Sequence, residues 1–250
     1  MNAILAGKRE PWFERLLLRM QAAIIQYSMI GREDGILVGL SGGKDSLSLL
    51  ALLAVWNRGV RPLRACYVEN RQFPQNKGSL EALGAFCALL RVPFSIREID
   101  TDVRLGCFPC SHARRKALAE EAVERGCTRI AIGHTRTDLA QTAILNLAHH
   151  GALQGLSPIR QYFENTFAVV RPLIFLDETD IWRIVRRLDL PVQKSSCPLA
   201  DNNERAKVAA IFKALESMHP GAAANIARAA LDYGSSETCS SGTDSRLHQF

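Results

Sequence analysis

A chain of 250 residues, 47% hydrophobic and 22% charged, has the balance of an ordinary globular protein, with room for one large α/β domain and a smaller appendage. No apolar run reaches the roughly 18 residues of a membrane span, and Glu14, Arg15 and Arg19 interrupt the first apolar stretch, so no membrane segment or signal peptide is expected and the cytoplasm is the predicted compartment. The net charge of +6 is compatible with a polyanionic partner, and seven scattered cysteines, an odd number, argue against a disulfide framework.

In chain order, residues 10–30 carry Phe13, Leu16, Leu17, Met20, Ile24 and Tyr27 at helical spacing and predict an amphipathic helix. The short apolar run 36–40 predicts a strand buried on both faces, followed by a Ser/Gly loop and an apolar helix over 47–56. Strands are expected at 63–68, 94–99 and 129–132, with helices at 79–90, 111–125 and 138–149. This alternation predicts an α/β fold with a doubly wound, mostly parallel sheet, whose ligand crevice lies beyond the carboxyl ends of the strands. Farther on, 169–173 adds a strand and 178–188 a helix, and 204–218 and 222–231 form a helical pair around His219-Pro220-Gly221. The expected segments are an N-terminal helical part (1–32), a nucleotide-binding α/β domain (33–175), a C-terminal helical extension carrying a late cysteine (176–233) and a disordered, Ser/Thr/Gly-rich tail (234–250).

The loop Ser41-Gly42-Gly43-Lys44-Asp45-Ser46 lies between the first predicted strand and its helix. A glycine pair there lets the backbone approach a phosphate, and the helix N-terminus presents N–H groups and the positive end of its dipole. Ser41 and Ser46 add hydroxyls and Lys44 adds charge, while Asp45 suits Mg2+ or the fixing of the loop. The spacing is neither that of a Walker A loop nor that of a dinucleotide fingerprint. It resembles the PP-loop family, whose hallmark is S-G-G-x-D-S after the first strand. The resemblance implies cleavage of ATP between its α- and β-phosphates and adenylation of an acceptor oxygen, which turns a poor leaving group into AMP.

Cys107-Phe108-Pro109-Cys110 precedes Ser111-His112-Ala113-Arg114-Arg115-Lys116, and such a pair beside a helix start can serve one metal or one sulfur chemistry. Cys197 lies in a proline-flanked loop, Cys66 and Cys87 read as core, Cys127 precedes a strand and Cys239 lies in the tail. The order of Ser41–Ser46, Cys107 to Arg115, Gly133-His134-Thr135-Arg136-Thr137-Asp138, Arg171-Pro172-Leu173 and Cys197 ahead of Arg205 resembles the tRNA 2-thiocytidine synthetase group. That resemblance implies a 4Fe-4S cluster on Cys107, Cys110 and Cys197, with one iron lacking a protein ligand. Zinc, with His112 or His134 as a fourth ligand, is the second metal in view.

The same resemblance implies adenylation of a tRNA cytidine O2 by ATP and Mg2+ and replacement of that oxygen by sulfur from a cysteine desulfurase or from sulfide. Ser41, Gly42, Gly43, Lys44, Asp45, Ser46, Gly133 and His134 would bind nucleotide, with Lys44, Asp45 and Asp138 catalytic. Family members are often dimers, so a homodimer is allowed. The sequence departs from the group at Thr135, Thr137, Gln141 and Lys194, and Tyr67-Val68-Glu69 replaces its usual end of the second strand. Another PP-loop reaction (thiolation of a different base or small molecule, or amine ligation) and a non-catalytic sulfur-carrier partner remain alternatives. Arg114, Arg115, Lys116, Arg183, Arg186, Arg187, Arg205 and Lys207 suit either an RNA-facing surface or plain solvated faces, and His149-His150 reads as a surface pair.

Overall fold

The computed structural model describes residues 10–237 except 103, 105, 164, 165, 195 and 198–203, with the backbone alone over 204–207 and 234–237. The side chains of Arg205 and Lys207, Pro198, Cys239 and the tail from 238 onward therefore lie outside the described residues.

Helix α1 (Pro11–Gln26) opens with proline in its first turn, where a missing N–H costs nothing, and buries Phe13, Leu16, Leu17, Met20 and Ile24 along one face. Strand β1 (Ile36–Gly39) leads through the Ser/Gly loop into α2 (Lys44–Asn57), followed by β2 (Leu63–Asn70), α3 (Lys77–Leu89) and β3 (Phe94–Ile99). Next come α4 (Cys107–Glu124), β4 (Arg129–Ala131), α5 (Arg136–His150), β5 (Ile159–Tyr162), β6 (Phe167–Val170) and α6 (Glu178–Leu188). Helices α7 (Glu204–Met218) and α8 (Ala222–Glu237) close the described chain.

The strands form one sheet in the order β3-β2-β1-β4-β6-β5. All pairings are parallel except that of β5 with β6, an antiparallel edge. Ile36, Leu37 and Val38 of the central β1 are fully buried, as a strand covered on both faces must be. The α/β, mostly parallel architecture is the one expected.

Several boundaries moved, for local reasons. Helix α4 begins at Cys107, not at 111, because proline is tolerated in a first turn, so Pro109 does not delay the start; Gly106, at φ +93°, makes the entry. The predicted strand 169–173 is Phe167–Val170, and the chain turns after it, with the Ile174 N–H on the Arg171 carbonyl. Strand β5 was not anticipated, since Ile159-Arg160-Gln161-Tyr162 is too short to carry a period. Helix α8 runs past 231 into the stretch expected to be disordered.

Contacts divide the chain into two units, residues 1–135 with 158–200 and residues 136–157 with 201–250. The first holds the sheet, and there Arg19 anchors α1 to the start of α6, donating to Asp180 Oδ2 at 2.5 Å and to the Phe175 carbonyl. The second holds α5, α7 and α8; a Cβ on Gly155 would meet Leu139 at 2.8 Å and Ala230 at 3.3 Å, which shows how closely α5 and α8 pack. The expected 33–175 domain is therefore interrupted by α5, which groups with the C-terminal helices. No described helix is long and apolar enough to cross a membrane.

Candidate functional site

Strand order reverses at β1, which has β2 on one side and β4 on the other. In a doubly wound sheet the ligand site lies at such a reversal, beyond the carboxyl ends of the strands. Ser41–Ser46 leaves β1 and Gly133-His134 leaves β4, so both predicted nucleotide segments reach this point. They touch closely: a Cβ on Gly133 would lie 2.8 Å from the Asp45 carbonyl carbon and 2.9 Å from the Ser46 nitrogen. Only a glycine admits that approach.

The loop is braced by its own hydroxyls. Ser46 Oγ accepts from the Ser41 N–H at 3.1 Å, lies 3.1 Å from Ser41 Oγ and donates to the Gly43 carbonyl at 3.1 Å. The Gly43 N–H donates to Ser41 Oγ at 3.3 Å. Gly42 sits at φ +79°, in the left-handed region where a side chain is strained. Gly43 occupies the cap position of α2 with no side-chain cap, the arrangement that suits an anion at a helix N-terminus. Lys44 Nζ lies 3.0 and 2.9 Å from the two Asp45 carboxylate oxygens and 3.5 Å from Glu178. Asp45 thus holds the lysine beside the loop. Both side chains remain partly open to solvent, so an incoming polyphosphate or cation can compete for them.

His134 is held by a residue that the sequence flagged only as part of a motif. Arg171, 4% exposed and just past β6, donates from Nε to His134 Nδ1 at 3.2 Å. Burial pushes the guanidinium down to about 10, which still leaves it a cation at neutral pH. Thr135 is buried directly after His134. Asp138 lies in the other unit, in the first turn of α5, where its carbonyl accepts from Thr142 Oγ1 at 2.8 Å.

The cysteines sort by burial. Cys66, Cys87 and Cys127 are core residues; burial pushes Cys66 up to about 11 and Cys87 up to about 12, and raises Cys127. Cys107 is exposed and Cys110 and Cys197 are half-buried. Cys107 and Cys110 lie three apart in the first turn of α4, on one face. Asn70, at the end of β2, points Nδ2 at Cys110 Sγ, 3.8 Å away. The Cys197 segment meets the turn after that same strand: Ser196 Oγ donates to the Phe73 carbonyl at 3.0 Å, and Gln75 Nε2 to the Lys194 carbonyl at 3.1 Å. Among the described residues, no three Cys, His, Asp or Glu side chains already form a metal cage. In kind and in neighbourhood the three outer thiols fit an iron–sulfur cluster: they are soft donors, and Cys110 and the Cys197 segment both attach to the end of β2.

Sequence reasoning missed Gln193, Gln75 and Glu178, none of which has a local signature. The basic residues divide. Arg114 and Arg115 are half-buried, Lys116 pairs with Glu120 at 3.9 Å on an exposed face, and Arg187 lies 3.8 Å from Glu10 and over the Trp12 ring.

Comparison with known proteins adds the following. The PP-loop domain family matches residues 15–208. Over 232 residues the chain is 34% identical to a tRNA-cytidine(32) 2-sulfurtransferase of Xylella fastidiosa, covering 86% of this chain and 76% of that one. A protein of the same name from Stenotrophomonas maltophilia is 34% identical over 231 residues, covering 86% and 74%. Among solved structures, the U34-tRNA thiolase NcsA from Methanococcus maripaludis, with its 4Fe-4S cluster, aligns with a TM-score of 0.72 at 23% identity, over 94% of this chain and 81% of that one. NMN synthetase from Francisella tularensis aligns at 0.52 and 10% identity, over 94% and 98%. At these identities the two structures speak to the fold alone.

Proposed function

The chain belongs to the PP-loop domain family and, within it, to the tRNA-cytidine(32) 2-sulfurtransferase group, and on that ground we propose that it is an ATP-dependent, AMP-forming tRNA sulfurtransferase acting on a cytidine O2. The target base would be cytidine 32, as the names of its relatives state. The observation that carries the reading is that Cys110 and the segment of Cys197 both meet the carboxyl end of β2, in the sheet that bears the phosphate loop. Cys110 faces Asn70 and the Cys197 segment is bonded to the turn after the same strand.

In this reading the β- and γ-phosphates lie against the N–H groups of the Gly42-Gly43 turn and the start of α2, with Ser41, Lys44 and Ser46 around them. The cytidine O2 attacks the α-phosphorus, the bond from that phosphorus to the bridging oxygen breaks, and pyrophosphate leaves. Lys44 offsets the charge that develops on the leaving group. Asp45 is the acid proposed to assist Mg2+, and His134, which accepts from Arg171 at Nδ1, is proposed to contact the nucleotide. Sulfur at the sulfide level, reached from a desulfurase persulfide only with two electrons from a thiol reductant, then attacks C2; the C2–O bond breaks and AMP departs with that oxygen. Cys107, Cys110 and Cys197 would hold a 4Fe-4S cluster, which supplies the means of carrying sulfur from a cysteine desulfurase or from sulfide. Such chemistry belongs in a reducing compartment, and we place the protein in the cytoplasm.

The test is purification without oxygen, assay of iron, acid-labile sulfide and zinc per chain, and measurement of AMP formed with tRNA. About four irons and four sulfides are expected, lost in Cys197→Ser, together with tRNA-dependent AMP and thiolated cytidine. Zinc or no metal, with no thiolated base, would defeat the proposal.

A further inference from the structure

The segment that carries Cys197 is also bonded to the phosphate loop. The Gln193 main-chain N–H donates to the Gly42 carbonyl at 2.9 Å, and its side-chain amide donates to the Ser79 carbonyl in the first turn of α3. Gln75 Nε2 lies 3.4 Å from Gln193 Oε1 and 3.1 Å from the Lys194 carbonyl, and Ser196 Oγ holds the Phe73 carbonyl at 3.0 Å. The fit at the loop is close: a Cβ on Gly42 would lie 2.9 Å from Gln193 Oε1. Gln193 is thus fastened to the loop backbone, and Lys194 and Ser196 to the turn after β2, where Asn70 faces Cys110.

The peptide at the loop end explains how one site can sense the other. The carbonyl that Gln193 holds and the N–H of Gly43 belong to one planar amide. In this structure that N–H donates to Ser41 Oγ. A phosphate recruits loop N–H groups through charge-assisted bonds, roughly twice as strong as neutral ones. Turning the N–H toward an anion turns the carbonyl with it, and the carbonyl is the attachment of Gln193. We infer that Gln193 is a positioning residue that couples occupancy of the phosphate loop to the placement of Cys197. The inference rests on the nucleotide-binding reading of the loop. It means that nucleotide binding changes the setting of the third thiol, and by linkage that a group bound at Cys197 changes nucleotide affinity by the same factor.

The experiment uses the reduced, metal-free full chain with limiting iodoacetamide, with and without α,β-methylene-ATP and Mg2+. Alkylation at each cysteine is followed by mass spectrometry, and nucleotide affinity is measured on the same preparations by calorimetry. In the wild type, nucleotide is expected to change the Cys197 rate on the order of fivefold, and alkylation of Cys197 is expected to alter nucleotide affinity. Gln193→Pro removes the bond to Gly42 and the side-chain anchors, and its Cys197 rate is expected to ignore nucleotide. Ser196→Ala removes only the half-buried hydroxyl that bonds the Phe73 carbonyl at the far end; its response is expected to shrink. A wild type that binds nucleotide with no change at Cys197 overturns the coupling alone, as does a full response in both variants. A wild type that binds no nucleotide overturns the phosphate-loop reading and the coupling with it.

Discussion

Gly133→Ala tests the contact that defines the crevice. Gly133 is not at positive φ, so alanine there carries no backbone strain, and the effect comes from the added methyl. That methyl would lie 2.8 Å from the Asp45 carbonyl carbon, 2.9 Å from the Ser46 nitrogen and 3.0 Å from the Asp45 oxygen. Ordinary contact begins at 3.4 Å, so the two loops must part by roughly half an ångström. The atoms in the way are backbone at the start of α2 and cannot rotate aside as a side-chain tip would. Overpacking of this kind costs about 1–3 kcal/mol, which in a chain of this size lowers the thermal midpoint by roughly 2–4 °C per kcal/mol. The larger effect is on phosphate binding, because the displaced atoms include the Ser46 N–H. A 1 Å misplacement costs about 10²-fold, so half of it should lower kcat/KM for ATP by roughly tenfold, about 1.4 kcal/mol of transition-state stabilisation. The assay is pyrophosphate release against ATP concentration, with a thermal melt on the same sample. A variant with wild-type kcat/KM and an unchanged midpoint would show that the two loops do not form one site.

Lys44→Ala should lower pyrophosphate release by at least 10²-fold while iron per chain stays at the wild-type level; turnover that survives would remove Lys44 from the chemistry. Glu121, buried on α4, is pushed up by desolvation but held net below the ordinary carboxylate range by bonds from Ser95 at 2.7 Å, Arg97 at 2.5 Å and Arg125 at 3.1 Å. Because its folded pKa is depressed, its contribution is present above the unfolded value near 4.5 and is lost as pH falls through the lower folded one. Glu121→Gln should therefore lower the urea midpoint at pH 7, and the gap to wild type should narrow at pH 3–4; a gap independent of pH would contradict the pairing. In metal-free protein at pH 7.5, iodoacetamide should label Cys107 first and leave Cys66 and Cys87 untouched, since a thiol near 11 holds roughly one part in 10³ or less as thiolate. Labelling of either buried thiol in the folded protein would count against the core assignment.

Local chemistry was legible in the chain itself. The apolar run 36–40, the glycine pair and the apolar helix after it are contiguous, so strand, phosphate loop and helix could be read without any long-range contact. The same holds for the alternation that predicts a parallel sheet, and for Cys107 and Cys110, whose spacing survives any folding of the rest. The start of α4 was misplaced because a proline reads as a boundary until its position in the first turn is known. Strand β5 escaped because an edge strand of four residues owes its existence to its partner β6.

What only the tertiary structure decided is which distant residues share one place. The order β2-β1-β4-β6 brings Gly133 against Asp45 and Arg171 against His134, yet neither Gly133 nor Arg171 carries any mark in sequence of what it will touch. Gln193 is an ordinary polar residue in a loop until folding sets its N–H on Gly42 and its amide on Ser79. A motif encodes contacts within a few residues of itself, where the chain's own geometry enforces proximity. Contacts between loops are set by strand order and register, which depend on the burial of the whole sheet.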